Sequence, residues 1–188
     1  MAFWGLFREK KSIYDAYEYY KLTITVFTGV YISNFKSIFN NFEINVAPVD
    51  TTDPPATFVI FLHCLFWESL EINRNKYKLA NSQIEEIKQK LEEKLKLSSL
   101  SIDKNNCNYV KNFLNDISNE YKKSVQLNQN PFMATNYTFL KTLERQNIIP
   151  ENTSENSAIL NSLSVITALY VAQGLKDWQA YCDNYKIE

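Results

Sequence analysis

Apolar residues recur at alternating steps of three and four positions through the first third of the chain. The series comprises Ile13, Tyr17, Tyr20, Ile24, Phe27, Tyr31, Phe35, Ile38 and Phe42. This spacing predicts one face of a single α-helix of about eight turns. Ser12, with Asp15 three residues later, predicts a capped start. The β-branched residues 21–27 favour a strand and Gly29 allows a kink, but we expect the longer periodicity to dominate.

A second apolar series lies on the opposite side of the same predicted helix and comprises Tyr19, Leu22, Val26 and Val30. A helix that is apolar on two sides is either central in a bundle or covered by a partner. We expect the bundle to cover this series, so that Leu22→Asp would abolish folding. The alternative is an interface with another protein or a second copy, with Tyr19 as its anchor.

Four further helices with distinct signals follow. After a loop at residues 45–55, Asp53 with a proline in the first turn predicts the start of a helix that is apolar all round through Trp67. Ser82 begins a charged surface helix with a narrow apolar stripe. A third carries apolar residues at helical spacing between residues 110 and 125, and Pro131 opens a fourth. The stripe of the surface helix comprises Ile84, Ile87, Leu91 and Leu95.

The last predicted helix begins near Ser154, and its apolar side rotates near Gly174. This rotation predicts either a kink or contact with two different neighbours. Together the patterns predict an all-α, single-domain bundle of about six helices with long first and last helices, spanning residues 12–188. The expected core comprises Ile24, Phe27, Tyr31, Leu62, Leu65, Leu114, Ile117, Leu163 and Ile166.

Composition excludes several classes of protein. The net charge is −1, and only Arg8, Arg74 and Arg145 are arginines, so we expect no nucleic-acid partner. Three widely spaced cysteines favour a reducing, cytoplasmic setting. The apolar block at residues 56–67 is too short to cross a membrane, and the charge order at the N-terminus is the reverse of a signal peptide. Abundant asparagine and lysine favour an AT-rich genome, as in many bacteria and phages.

The chain shows no recognisable catalytic, cofactor or metal motif. Its three glycines are isolated, which excludes phosphate-binding glycine loops. The single histidine, His63, lies in an apolar segment, and we expect a structural residue whose ring nitrogens are hydrogen-bonded within the protein. We expect Glu68 and Glu71 to mark a helix boundary that reaches solvent. The sequence therefore predicts neither an enzyme nor a cofactor or metal site.

Residues 1–11 form a predicted N-terminal arm in which aromatic residues precede basic ones. Trp4 and Phe7 are followed by Arg8, Lys10 and Lys11. We expect the arm to fold back on the core or to contact a partner, and Trp4 and Phe7 are candidate interface residues. An interfacial membrane anchor is the alternative.

These observations favour a non-enzymatic protein–protein interaction module, such as an adaptor, an inhibitor or an immunity-type partner protein. It would show an exposed, tyrosine-rich apolar patch. The first alternative is a helical enzyme or small-ligand-binding protein whose site is assembled around His63 and Glu68, which would show a deep pocket. The second is a membrane-peripheral scaffold anchored by residues 1–11.

Overall fold

The computed structural model describes residues 9–52, 54–72 and 106–187, together with residues 81–83, 85, 86, 89 and 93. In chain order the elements are β1 (Glu9–Lys11), α1 (Ile13–Asn41), α2 (Ala56–Ile72), α3 (Asn106–Gln126), α4 (Pro131–Arg145), a 3-10 turn (Thr153–Glu155), α5 (Ser157–Asn184) and β2 (Tyr185–Ile187). The all-α bundle with long first and last helices is confirmed. The described residues between 81 and 93 are helical, but the apolar stripe predicted there lies outside the described residues.

Helix α1 is continuous through Gly29, so neither the strand nor the kink forms. Its predicted start is confirmed: the Asp15 N–H donates to Ser12 Oγ, and the Ser12 N–H donates to Asp15 Oδ2. In the helical β-branched segment the threonine hydroxyls donate to carbonyls one turn earlier, as Thr25 does to the Lys21 oxygen at 2.9 Å. Periodicity over the whole helix therefore outweighs local strand preference.

The other helix starts follow the predictions in part. Asn130 caps α4 by accepting from the Phe132 N–H, and Pro131 occupies the first position, as expected. The two prolines before α2 precede the helix instead of lying in its first turn, and the Pro55 oxygen accepts from the Phe58 N–H at 2.9 Å. Asp53 lies outside the described residues.

The core consists of two aromatic-rich clusters. The larger joins the second half of α1 to α2, α3, α4 and the first half of α5, and within it Phe61 stacks on Phe139 at 4.0 Å between ring centroids. The smaller cluster joins the first half of α1 and the last part of α5 to the end of α2. Of the predicted core residues, Phe27, Leu114 and Ile166 are only partly buried. The remaining six are buried, and they are Ile24, Tyr31, Leu62, Leu65, Ile117 and Leu163.

Helix α5 contacts both clusters along one continuous helix, which confirms the prediction of two different neighbours. It begins at Ser157 instead of near Ser154, because Asn156 caps it by accepting from the Ala158 N–H. At Gly174 the Phe66 ring lies so close that an added Cβ would overlap it. This close approach of α2 to α5 explains why a glycine lies inside a long helix.

A feature that the sequence patterns do not predict is a two-stranded parallel sheet, in which β1 pairs with β2. Lys10 lies opposite Lys186, and the Lys11 ammonium lies 5.1 Å from the centre of the Tyr185 ring. Residues 9–11 of the predicted arm therefore fold back on the C-terminal end of the bundle.

Candidate functional site

Three members of the second apolar series on α1 are exposed: Leu22 by 60%, Val26 by 55% and Val30 by 45%. The prediction that the bundle covers this side of the helix is wrong. Helices α2 and α5 pack against the other side of α1, where residues such as Tyr20 and Phe35 are fully buried. No described element covers the outer side.

Tyr19, the fourth member of this series, has a different environment. Its ring stacks on Tyr181 at 4.3 Å, and its hydroxyl donates to the Asp177 oxygen at 3.4 Å. The ring and the hydroxyl of Tyr19 therefore make their contacts within the protein. The structure brings Leu22, Val26 and Val30 onto one exposed side and places Tyr19 at the α1–α5 contact.

Helix α5 adds two exposed apolar side chains, Val165 at 60% and Leu169 at 64%. Helices α1 and α5 run antiparallel. Phe27 contacts Tyr170, with 6.1 Å between ring centroids, and Tyr19, about two turns earlier in α1, contacts Tyr181, about three turns later in α5. These five exposed aliphatic residues lie within about one and a half turns of the Phe27–Tyr170 contact along their helices. We call this surface the α1–α5 face, comprising Leu22, Val26, Val30, Val165 and Leu169.

The other interface candidates, Trp4 and Phe7, lie outside the described residues. Among the described residues, one feature bears on a membrane contact. Helix α5 is long and apolar enough to cross a bilayer, because it contains an 18-residue window, or stretch, with a mean hydropathy of 1.5. In the fold, 39% of that window is buried. Core helices of bundles reach the same length and hydropathy, so the composition of α5 does not by itself indicate a membrane span.

A second candidate site is a partly open cavity of about 320 Å³ between α2 and α3, which we call the α2–α3 cavity. Helix α2 contributes His63, Cys64 and Glu68 to its wall. Exposed lysines 111 and 122 of α3 lie at its rim. The cavity brings together His63, Glu68 and a cysteine, but it is partly open, whereas the ligand-binding alternative predicts a deep pocket.

His63 is 5% exposed, and neither ring nitrogen has a hydrogen-bond partner among the described residues. The expected structural partner for this imidazole is thus not seen among the described residues, and the structural role of His63 stays a prediction. Its neighbour on α1 is Tyr20, whose ring meets it edge-on at 5.8 Å between centroids. Burial lowers the pKa of His63 from 6.5 to about 4, because the imidazolium loses its hydration. At neutral pH the ring is uncharged, with one donor and one acceptor nitrogen.

Glu68 is buried, so the prediction that it marks a helix boundary reaching solvent is wrong. The Ser118 hydroxyl donates to its Oε1, and the Lys122 ammonium lies 3.3 Å from the same oxygen. The second oxygen, Oε2, has no partner among the described residues. Glu71, which is partly buried, has one buried oxygen that is also without a partner in the described part of the chain.

The cavity wall also contains Cys64, but its geometry does not form a Cys–His pair. Cys64 Sγ lies 3.6 Å from the Leu114 oxygen, to which it donates. Within the described residues, no three His, Cys, Asp or Glu side chains cluster closely enough to hold a metal ion. The arrangement offers an uncharged imidazole, which can donate and accept, and a carboxylate, which accepts, and such a set suits recognition of a polar ligand.

Sequence reasoning missed the contribution of α3 to this cavity. The lining residues Lys111, Asn115, Ser118 and Lys122 follow helical spacing, so they form one row on the helix. The signal was therefore present. A polar row on an amphipathic helix ordinarily faces solvent, and only the position of α2 turns this row into a cavity wall.

Comparison of the chain with protein-family models, curated proteins and solved structures found no match.

Proposed function

We propose that this protein is a non-enzymatic protein–protein interaction module, of the adaptor, inhibitor or immunity type, that docks a partner protein on the α1–α5 face. The observation that supports this proposal is the exposure of five aliphatic side chains on two adjacent helices, although this patch is aliphatic and not tyrosine-rich as the sequence predicts. Single exposed apolar residues are common on protein surfaces. A group of them on one surface is typical of an interaction site.

The surroundings of this face favour a protein partner over an anionic membrane. Exposed residues beside the apolar row are uncharged and polar, among them Ser33 and Gln173. Lys21, next to Leu22 in the sequence, forms an ion pair with Glu18 at 2.6 Å. Membrane surfaces attract clustered lysine and arginine, whereas protein interfaces combine an apolar centre with a polar rim.

The helix pair that carries the face is held together by buried polar contacts as well as by its aromatic rings. The Tyr31 hydroxyl lies 3.3 Å from Thr167 Oγ1 and donates to Asn136 Oδ1 at 3.3 Å. Asn34 Nδ2 donates to the Tyr170 hydroxyl at 2.5 Å. A face presented by two fixed helices loses little conformational freedom on binding, which favours affinity.

The test compares the wild type with Leu22→Asp, Leu169→Asp and the control Thr25→Asp in affinity capture from the native cell, read by mass spectrometry. Thr25 is exposed on the same helix but lies about 100° from the centre of the apolar row. We expect a partner that the wild type and Thr25→Asp retain and that both apolar-to-Asp variants lose. All three variants should remain folded.

Two further measurements separate the alternatives. Sedimentation of the purified protein shows whether a second copy covers the face, in which case Leu22→Asp would convert a dimer into a monomer. Co-sedimentation with anionic vesicles tests the membrane-peripheral scaffold. A partner that both Leu22→Asp and Leu169→Asp still capture would refute docking on the α1–α5 face.

A further inference from the structure

We propose that the α2–α3 cavity binds a small, uncharged ligand that carries a primary carboxamide on an apolar or aromatic body. This site is separate from the α1–α5 face, because no residue of that face lines the cavity. The proposal therefore adds a ligand-binding activity to the protein-docking function.

Two polar side chains in the cavity wall have hydrogen-bonding capacity that no described residue uses. The His63 ring is 5% exposed and lines the cavity, and neither nitrogen has a partner among the described residues. Glu68 is 4% exposed and uses only Oε1 for Ser118 and Lys122. These atoms are not among the fully buried unpartnered atoms of the described residues, so solvent in the cavity reaches them, and a ligand can take the place of that solvent.

The charge of the wall favours an uncharged ligand. Lys122 offsets the charge of Glu68 at 3.3 Å, and burial holds the pKa of His63 at about 4, so its imidazole is neutral. The other titratable groups near the ring are Tyr20 on α1, Cys64 on α2 and Lys111 at the rim. A charged ligand would lose hydration without gaining an opposite charge at the inner wall.

A primary carboxamide matches the free hydrogen-bonding positions. Its NH₂ group donates to Glu68 Oε2, and its carbonyl oxygen accepts from the N–H of His63. The rest of the wall includes Val110, Leu114 and Trp67, which suit an apolar or aromatic body. A volume of about 320 Å³ lies at the lower end for small-molecule sites and limits the ligand to a small one.

The test uses benzamide as the probe, with benzoate and toluene as controls of similar shape. His63 is the only histidine, so the histidine ring signals in a ¹H–¹³C NMR spectrum come from the cavity alone. We expect benzamide to shift these signals in a saturable manner. Benzoate should bind about tenfold more weakly or worse, since its charge faces Glu68. Toluene should produce no saturable shift.

Blocking variants establish where the probe binds. Asn115→Trp and Lys111→Trp each fill the rim of the cavity from an exposed position, whereas Asn112→Trp places the same side chain on an exposed position of α3 outside the lining. We expect benzamide binding to be lost in the first two variants and retained in the third and in Leu22→Asp. No saturable shift with benzamide, equal binding of toluene or benzoate, or unchanged binding in both blocking variants would each overturn the proposal.

Discussion

The burial of the His63 ring makes a contribution of its own to the loss of stability at low pH, and its size can be worked out from the pKa. The pKa of the ring is about 4 in the folded protein and 6.5 in an unfolded chain. Between these values the unfolded chain binds the proton and the folded protein does not, so stability falls as pH decreases. The contribution is fully present above pH 6.5 and is lost towards pH 4, and at roughly 1.4 kcal/mol per pKa unit it amounts to about 3 kcal/mol.

The assay is urea unfolding of the wild type and of His63→Gln across this pH range. Carboxyl groups such as Asp15 and Glu144, whose pKa values are lowered by hydrogen bonds in the fold, contribute equally to both proteins. The difference in free energy of unfolding between the two proteins therefore isolates His63. We expect the advantage of the wild type to shrink by about 3 kcal/mol between pH 7 and pH 4. A difference that stays constant with pH would show that His63 is hydrated in the cavity and titrates normally.

Three other comparisons test the packing by urea unfolding. Leu65→Ala should cost about 2–5 kcal/mol through lost burial and a cavity, and Phe27→Ala should cost less because Phe27 is partly exposed; equal costs would contradict this assignment. Gly174→Ala should cost about 1–3 kcal/mol by overlap with Phe66, and a smaller cost when combined with Phe66→Leu would confirm that the ring is the cause. Asn136→Leu should cost about 1–3 kcal/mol because it leaves the buried tyrosine and threonine hydroxyls without the amide, and an unchanged midpoint would show that these bonds are not needed.

The sequence predicts where the helices of this fold begin and end better than it predicts how they pack against one another. The periodicity of α1, the cap at Ser12 and the helix start at Pro131 are local signals, and the structure confirms them. Whether the side of α1 that carries Leu22 is covered depends on where the other helices pack, which the pattern of one helix does not contain. The same limit applies to His63, since its apolar neighbours in sequence predict burial correctly but not the cavity beside it.

The pairing of β1 with β2 has a consequence for the order in which the protein folds and opens. The two strands lie near opposite ends of the chain, so their pairing closes a loop of almost the whole sequence. Helices form from contacts between residues that are close in sequence. Pairing the two strands costs loop-closure entropy, and this cost is large until the helices between them have packed. We therefore expect the sheet to form last and to open first. In native-state hydrogen exchange, the amides of residues 185–187 should exchange well before those in the middle of α2 and α5.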